Sequence, residues 1–170
     1  IGMVLIIYFY SKKTNTGIFC NLISFILFSL FGYLVHVTSH YFNFNYLNEK
    51  LINQKTLLTN NKTIKNLLKK ISNIVDFHEN VHHDLSVNKT PKNLIYEFLN
   101  NFLFQGFIFY IVIIFFRNLN PKIAIIWGLI YASSHIINFN FINPITHQQH
   151  HENKFTNFGL DVWDIIFNTK

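Results

Sequence analysis

Cysteine is nearly absent: the chain of 170 residues holds one, Cys20, in an apolar run, so no disulfide framework can form within it. Glycine, with 6 residues, is too sparse for phosphate-cradling loops, and no G-x-S-x-G elbow occurs to support serine-hydrolase chemistry. Acidic side chains are few, 8 against 14 Lys and Arg. The resulting formal charge of +6 would suit nucleic acid, but the lysines are scattered and flanked by apolar runs of membrane length, so no nucleic-acid partner is expected. Charge of any sign makes up only 13% of the chain, while half of it is hydrophobic, including 20 Phe and 8 Tyr. That composition points to a membrane class.

What the chain does have in excess is histidine, nine residues against one Met and two Trp. Three apolar stretches frame them: 17–35, 98–116 (ended by Arg117) and 123–142, each close to the length a bilayer-spanning helix needs. The polar break 118–122 with Pro121 reads as a tight connection between antiparallel helices. Met3 to Tyr10 is apolar but too short to span, and it reads as the tail of a truncated membrane helix. Between the first two spans, residues 60–75 carry Ile64, Leu67, Leu68, Ile71, Ile74 and Val75 at helical spacing, with Lys62, Lys65, Lys69 and Lys70 largely between them. This predicts an amphipathic helix lying in the membrane interface. The expected architecture is all-α: a single membrane-embedded domain over 1–170, a polytopic helical bundle, truncated at its N-terminus.

That topology sorts the histidines. His36 and His40 sit where the first span ends; His78, His82 and His83 precede the second; His135 lies near the end of the third, and His147, His150 and His151 follow it. All nine fall on one side, and neither of the turns assigned to the other side, 11–16 and 117–122, holds one. The larger share of Lys and Arg also lies on the histidine side, which makes that face cytosolic. The offset of four in His36/His40, His78/His82 and His147/His151 puts each pair on one helical face. One tetrahedral zinc takes about four ligands, so nine imidazoles suit two metals with positions left open. Imidazole alone does not choose among Fe, Zn, Cu and Ni.

The clusters His36-Val-Thr-Ser-His40, His78-Glu-Asn-Val-His82-His83 and His147-Gln-Gln-His150-His151 are followed by Asn157-Phe158-Gly159 and Trp163-Asp164-Ile165-Ile166-Phe167-Asn168-Thr169. In this order they resemble the fatty acid hydroxylase (sterol desaturase) superfamily of membrane histidine-motif oxygenases, over about residues 30–170. His135 matches a recurrent histidine there. The second cluster departs from the family's HxxHH and looks more like that of the membrane alkane hydroxylases, as does Val87 to Pro91 after it. The stretch from His40 to His78 is longer than expected, Gly159 and Trp163 are closer together, and Asn168 stands where a glycine is usual. Subfamily and substrate therefore stay open.

The resemblance implies a centre of two Fe ions, with Zn able to substitute, using O2 as co-substrate to hydroxylate or desaturate a fatty acyl or sterol lipid. Its ligands would be His36, His40, His78, His82, His83, His147, His150 and His151, with His135 joining them. Electrons would come from an external donor, cytochrome b5-like or a ferredoxin and reductase. The setting would be a multi-pass membrane protein, of the endoplasmic reticulum in a eukaryotic or viral context. Asp76, Asp84, Glu97, Asp161 and Asp164 are candidates to orient histidines from outside, and Asp164 is expected to serve structure.

Two other readings compete. His78-Glu79-Asn80-Val81-His82 is literally HExxH, the pattern of a zinc metallopeptidase, in which two histidines bind zinc and the glutamate activates water. A non-enzymatic metal-binding or transport protein would instead favour ligands at the bilayer midplane, whereas these gather at one face. The sequons at Asn61 and Asn88 lie on the histidine side and are expected to go unused.

Overall fold

The computed structural model describes residues 2–44, 46, 49, 61–76, 78–83, 90–104, 119–159 and 161–170. Among these residues every regular element is helical, as expected. In chain order they are α1 (Gly2–Thr14), α2 (Ile18–Tyr41), α3 (Lys62–Val75), a π-helical turn (His78–His82), α4 (Pro91–Phe102), α5 (Pro121–Ile137) with a π-helical extension (Asn138–Ile142), α6 (Ile145–Glu152) and α7 (Asp161–Ile166).

Local chemistry sets most helix starts. The Asn61 carboxamide accepts from the amides of Thr63 and Ile64 at the head of α3. Thr90 caps α4 and Asn120 caps α5, each followed by a proline at the first helical position, where the lost N–H costs nothing. Left-handed backbone at Asn143 (φ 44) ends the extension of α5. Asparagine tolerates that conformation better than most residues with a Cβ.

Among the described residues two helices, Ile18–Tyr41 and Pro121–Ile142, are long and apolar enough to cross a membrane. The first runs past the expected limit of 35, so His36 and His40 lie in its last two turns, on one helix as their spacing implies. Nothing between 35 and 41 breaks a helix, since the run contains neither Gly nor Pro. Of the expected span 98–116, residues 98–104 continue α4 and 105–116 lie outside the described residues. The apolar start is one helix with the polar turn after it, α1 reaching Thr14 and packing on α2. The amphipathic helix appears at Lys62–Val75, with Leu67 and Ile74 both 55% exposed.

α2 packs on α5, and α5 on α4. Ile7, Phe28, Leu119, Ile123, Ala124 and Trp127 form the buried apolar core between α1, α2 and α5. Gly32 lets α2 approach closely: a Cβ there would stand 3.0 Å from Trp127 Nε1. Away from the histidines a buried polar knot ties the helix ends together. Asn21 Nδ2 donates to Ser11 Oγ (2.8 Å), Asn120 Nδ2 donates to Asn21 Oδ1 (2.7 Å), and the Asn120 amide donates to Ser24 Oγ (3.1 Å). Buried polar groups are tolerated when paired in this way, and the knot fixes α5 against α2 so that both deliver their C-terminal ends to one place.

Candidate metal centre

The three sequence-distant histidine clusters and His135 meet in one body of nine imidazoles. Nearest-neighbour ring centroids lie from 4.3 Å (His82 and His135) to 4.9 Å (His40 and His150). α2 contributes His36 and His40, the π-helical turn His78 and His82 with His83 just after it, α5 His135, and α6 His147, His150 and His151. The π-helical turn rotates the expected helical pairing: His78 and His82 stack at 4.8 Å, and His83 turns edge-on to both.

The nitrogen atoms resolve into overlapping sets whose members lie within 4.8 Å of one another. The largest set, His36, His40, His78 and His150, is fully buried. Another joins His82, His147 and His151, where His151 Nε2 stands 3.1 Å from His147 Nε2 and 3.2 Å from His82 Nε2. His83 shares a set with His78 and His82, and a further one with His40 and Glu79. His135 shares its set with His82 and Glu97.

Partners on the outer ring nitrogens set the tautomers. His40 Nδ1 faces Glu79 Oε2 (3.3 Å), His82 Nδ1 faces Glu97 Oε1 (2.6 Å), and His150 Nδ1 faces the Thr156 carbonyl (2.6 Å). An acceptor at Nδ1 holds the proton there and leaves a lone pair on Nε2. Tyr131 Oη lies 3.2 Å from His36 Nδ1. The inward Nε2 atoms of His36, His40, His78, His83 and His150 are buried with no hydrogen-bond partner. Burying such an atom unpaired is costly, and a cation is what a ring of inward lone pairs accommodates. The His82, His147 and His151 trio fits the same test: ligands about 2.0–2.1 Å from a tetrahedral ion stand about 3.3 Å apart. The donor set is therefore suited to more than one ion that accepts imidazole.

Electrostatics favour neutral ligands. Burial pushes His78 and His82 well below the usual 6.5, with neighbouring imidazoles adding to it. Burial likewise pushes His83 down to about 2 and lowers His150, for which the Thr156 carbonyl works in the opposite direction. Rings that resist protonation keep their lone pairs at neutral pH.

The chain after the last cluster closes the site. Asp164 accepts from the amides of Phe158 (3.0 Å) and Gly159 (3.0 Å) and from Thr169 Oγ1 (2.7 Å). Tyr33 Oη and Thr169 Oγ1 are 2.6 Å apart, and Trp163 Nε1 donates to Ser29 Oγ (3.1 Å). These bonds pin α7 to α2 and bury Phe158 against His36, His40 and His150 at centroid distances of 5.6–5.8 Å. Gly159, at φ +98, occupies backbone that suits only glycine, and Asn168 at φ 54 takes the left-handed conformation that a glycine would. Beside the rings a cavity of about 130 Å³ touches His36, His135, His147, His150 and Tyr131.

Of the five acids named from sequence, Glu97 touches histidines, as expected, and Asp164 serves the tail. Asp76 accepts from the Phe44 amide (3.0 Å), holding the chain as it leaves α2. Asp84 and the Asp161 side chain lie outside what the structure describes. Three participants carried no signal in the sequence: the Thr156 carbonyl, Tyr131 and Lys154, whose ammonium reaches Glu79 Oε1 at 2.5 Å.

Among the described residues, fold and site define an all-helical protein with two helices long and apolar enough to cross a membrane and a buried histidine cluster that could hold metal. No protein-family model, curated protein or solved structure matches the chain.

Proposed function

We propose that the chain is a multi-pass membrane oxygenase of the fatty acid hydroxylase and sterol desaturase type, hydroxylating or desaturating a lipid at a histidine-held di-iron centre on its cytosolic face. The observation that supports it most is that, among the overlapping sets, a buried set of four (His36, His40, His78, His150) and a set of three (His82, His147, His151) share no residue. Two such sets suit two ions, and the three-membered one leaves a position for a reactant.

Bound there, the two irons would supply the redox chemistry that activates O2 for hydrogen abstraction from a lipid carbon, with electrons from a cytochrome b5-like or ferredoxin-type donor. The chain's own part is preparatory. Glu79, Glu97 and the Thr156 carbonyl fix the tautomers of His40, His82 and His150. Phe158 covers one side of the buried set, and the lowered proton affinity of His78, His82, His83 and His150 keeps ligands neutral. Neutral ligands would leave the positive charge of bound ions undiminished.

The competing zinc-peptidase reading needs His78 and His82 on one ion with Glu79 facing its water. Here Glu79 is engaged by His40 and Lys154 instead. Metal analysis of the protein purified from membranes, with spectroscopy for a coupled pair of irons, tests the proposal. Two irons per chain are expected, and a single zinc would sink it.

A further inference from the structure

An apolar cavity of about 340 Å³ lies on another side of the histidines, walled by Val35, Thr38, Ser39, Phe42, Phe44, Val75, His78, Asn100 and Phe104. Its polar wall residues are already committed. Thr38 Oγ1 donates to the Leu34 carbonyl (2.7 Å), Ser39 Oγ to the His36 carbonyl (2.6 Å), and Asn100 Nδ2 to the Ile74 carbonyl (2.8 Å). The His78 ring belongs to the set formed with His36, His40 and His150, and its Nε2 is buried. Among the described residues the walls thus hold no Asp, Glu, Lys or Arg, and Thr38, Ser39 and Asn100 each give a side-chain hydrogen bond to a backbone carbonyl.

A headgroup placed in such a space would lose its hydration with few replacement bonds, which is unfavourable for every polar group left uncompensated. A run of methylenes loses nothing and gains burial. The surroundings offer a source for it. Val75 and Asn100 adjoin Ile74 and Leu99, which are 55% and 44% exposed, on helices whose outer faces also expose Leu67, Ile71, Ile95 and Leu103. An exposed apolar band of this kind is continuous with lipid when the neighbouring helices sit in a bilayer.

We infer that this cavity binds a bare hydrocarbon segment and presents it to the His78 side of the metal centre, with any polar headgroup held outside. The inference rests on the oxygenase reading only for what happens to the chain afterwards: oxidation falls on a carbon remote from the headgroup rather than beside it.

Photolabelling tests it without activity as the readout. The full-length protein in lipid nanodiscs is irradiated with a medium-chain alkane bearing a mid-chain diazirine, and labelled peptides are mapped. Label is expected on Phe42, Phe44, Val75 and Phe104, lost with excess unlabelled alkane and in Val75→Trp, while metal content stays unchanged. Val35→Phe, which fills the space from α2, supplies the same loss should Val75→Trp fail to fold. Label confined to outward residues such as Ile74 and Leu99, and indifferent to competitor and filling variants, overturns the inference. So does cavity label that appears only with a carboxylate-bearing probe. Two irons with cavity label absent would sink this site alone; cavity label on a chain holding one zinc would sink the oxygenase reading alone.

Discussion

Glu97 Oε1 lies 2.6 Å from His82 Nδ1 and 3.6 Å from His135 Nε2, so one buried carboxylate addresses two of the histidines. Both partners are themselves buried. His82 thereby keeps its Nε2 lone pair turned toward His147 and His151, and His135 meets the centre through the same acid. Losing a carboxylate that orients a ligating histidine typically costs about 10–100-fold in metal affinity. Glu97→Ala is expected to weaken metal retention by about that factor, and Glu97→Gln, which keeps an acceptor, by less. Competition against a chelator of known affinity measures it. Undiminished retention in Glu97→Ala would show that His82 holds its orientation without the acid.

Glu79 decides between chemistries. In a peptidase it is the catalytic base, and Glu79→Gln would abolish turnover. Here its two oxygens are divided between His40 Nδ1 at 3.3 Å and the Lys154 ammonium. The expected outcome for Glu79→Gln is retained metal and a moderate loss of lipid oxidation, since the amide oxygen still accepts from His40. Complete loss of a measured proteolytic activity, with no oxidation of lipid in the parent protein, would be the peptidase result.

Acid should act on the fold and on the centre in the same direction. His78, His82, His83 and His150 resist protonation in the folded chain, whereas in the unfolded chain they take up protons near 6.5. Below 6.5 the unfolded state binds more protons, so stability is full above that pH and falls as pH drops through it. For the well-buried His78 and His82 the loss approaches about 1.4 kcal/mol per residue per pH unit. Thermal unfolding of metal-free protein should therefore show a midpoint falling steadily from about pH 7 to about pH 5. A midpoint flat over that range would mean the rings are hydrated in the absence of metal.

Much of the site was legible because its chemistry lies in side chains at fixed offsets. The pairs His36/His40 and His147/His151 lie on α2 and α6, and the topology assigned all nine histidines to one place. The π-helical turn at His78–His82 was not legible, because nothing in a five-residue window distinguishes it from an ordinary helical turn. Nor was the grip of the Thr156 carbonyl on His150, since a backbone oxygen has no residue type to read. Asn21 was hidden for the opposite reason. It sits inside an apolar run that reads as lipid-facing, yet its amide organises the turn far from the histidines. Asn168, a departure from the pattern the tail resembles, has a simple physical account in its φ of 54. Asn168→Val is accordingly expected to destabilise by about 1–3 kcal/mol through backbone strain, and Asn168→Gly to be nearly neutral, as read by thermal unfolding.

Asp164 is the fastening of the tail, and its loss should reach the metal centre without touching a ligand. One oxygen takes the Phe158 amide and Thr169 Oγ1, and the other takes the Gly159 amide. Asp164→Ala strips the acceptor from three donors at a position only 1% exposed. The Phe158 amide is the buried one of the three and the other two can turn to water, so a loss of about 1–3 kcal/mol is expected. Asp164→Asn keeps one carbonyl oxygen but turns an N–H2 toward another donor, which places it between Ala and the parent. Because Phe158 packs on His36, His40 and His150, freeing it admits water to the buried set of four. Asp164→Ala should therefore lose metal faster from that set than from His82, His147 and His151. The expected readout is biphasic metal release, with only the faster phase responding to the substitution. A uniform acceleration of both phases would mean that the tail supports the whole bundle and does not seal one site.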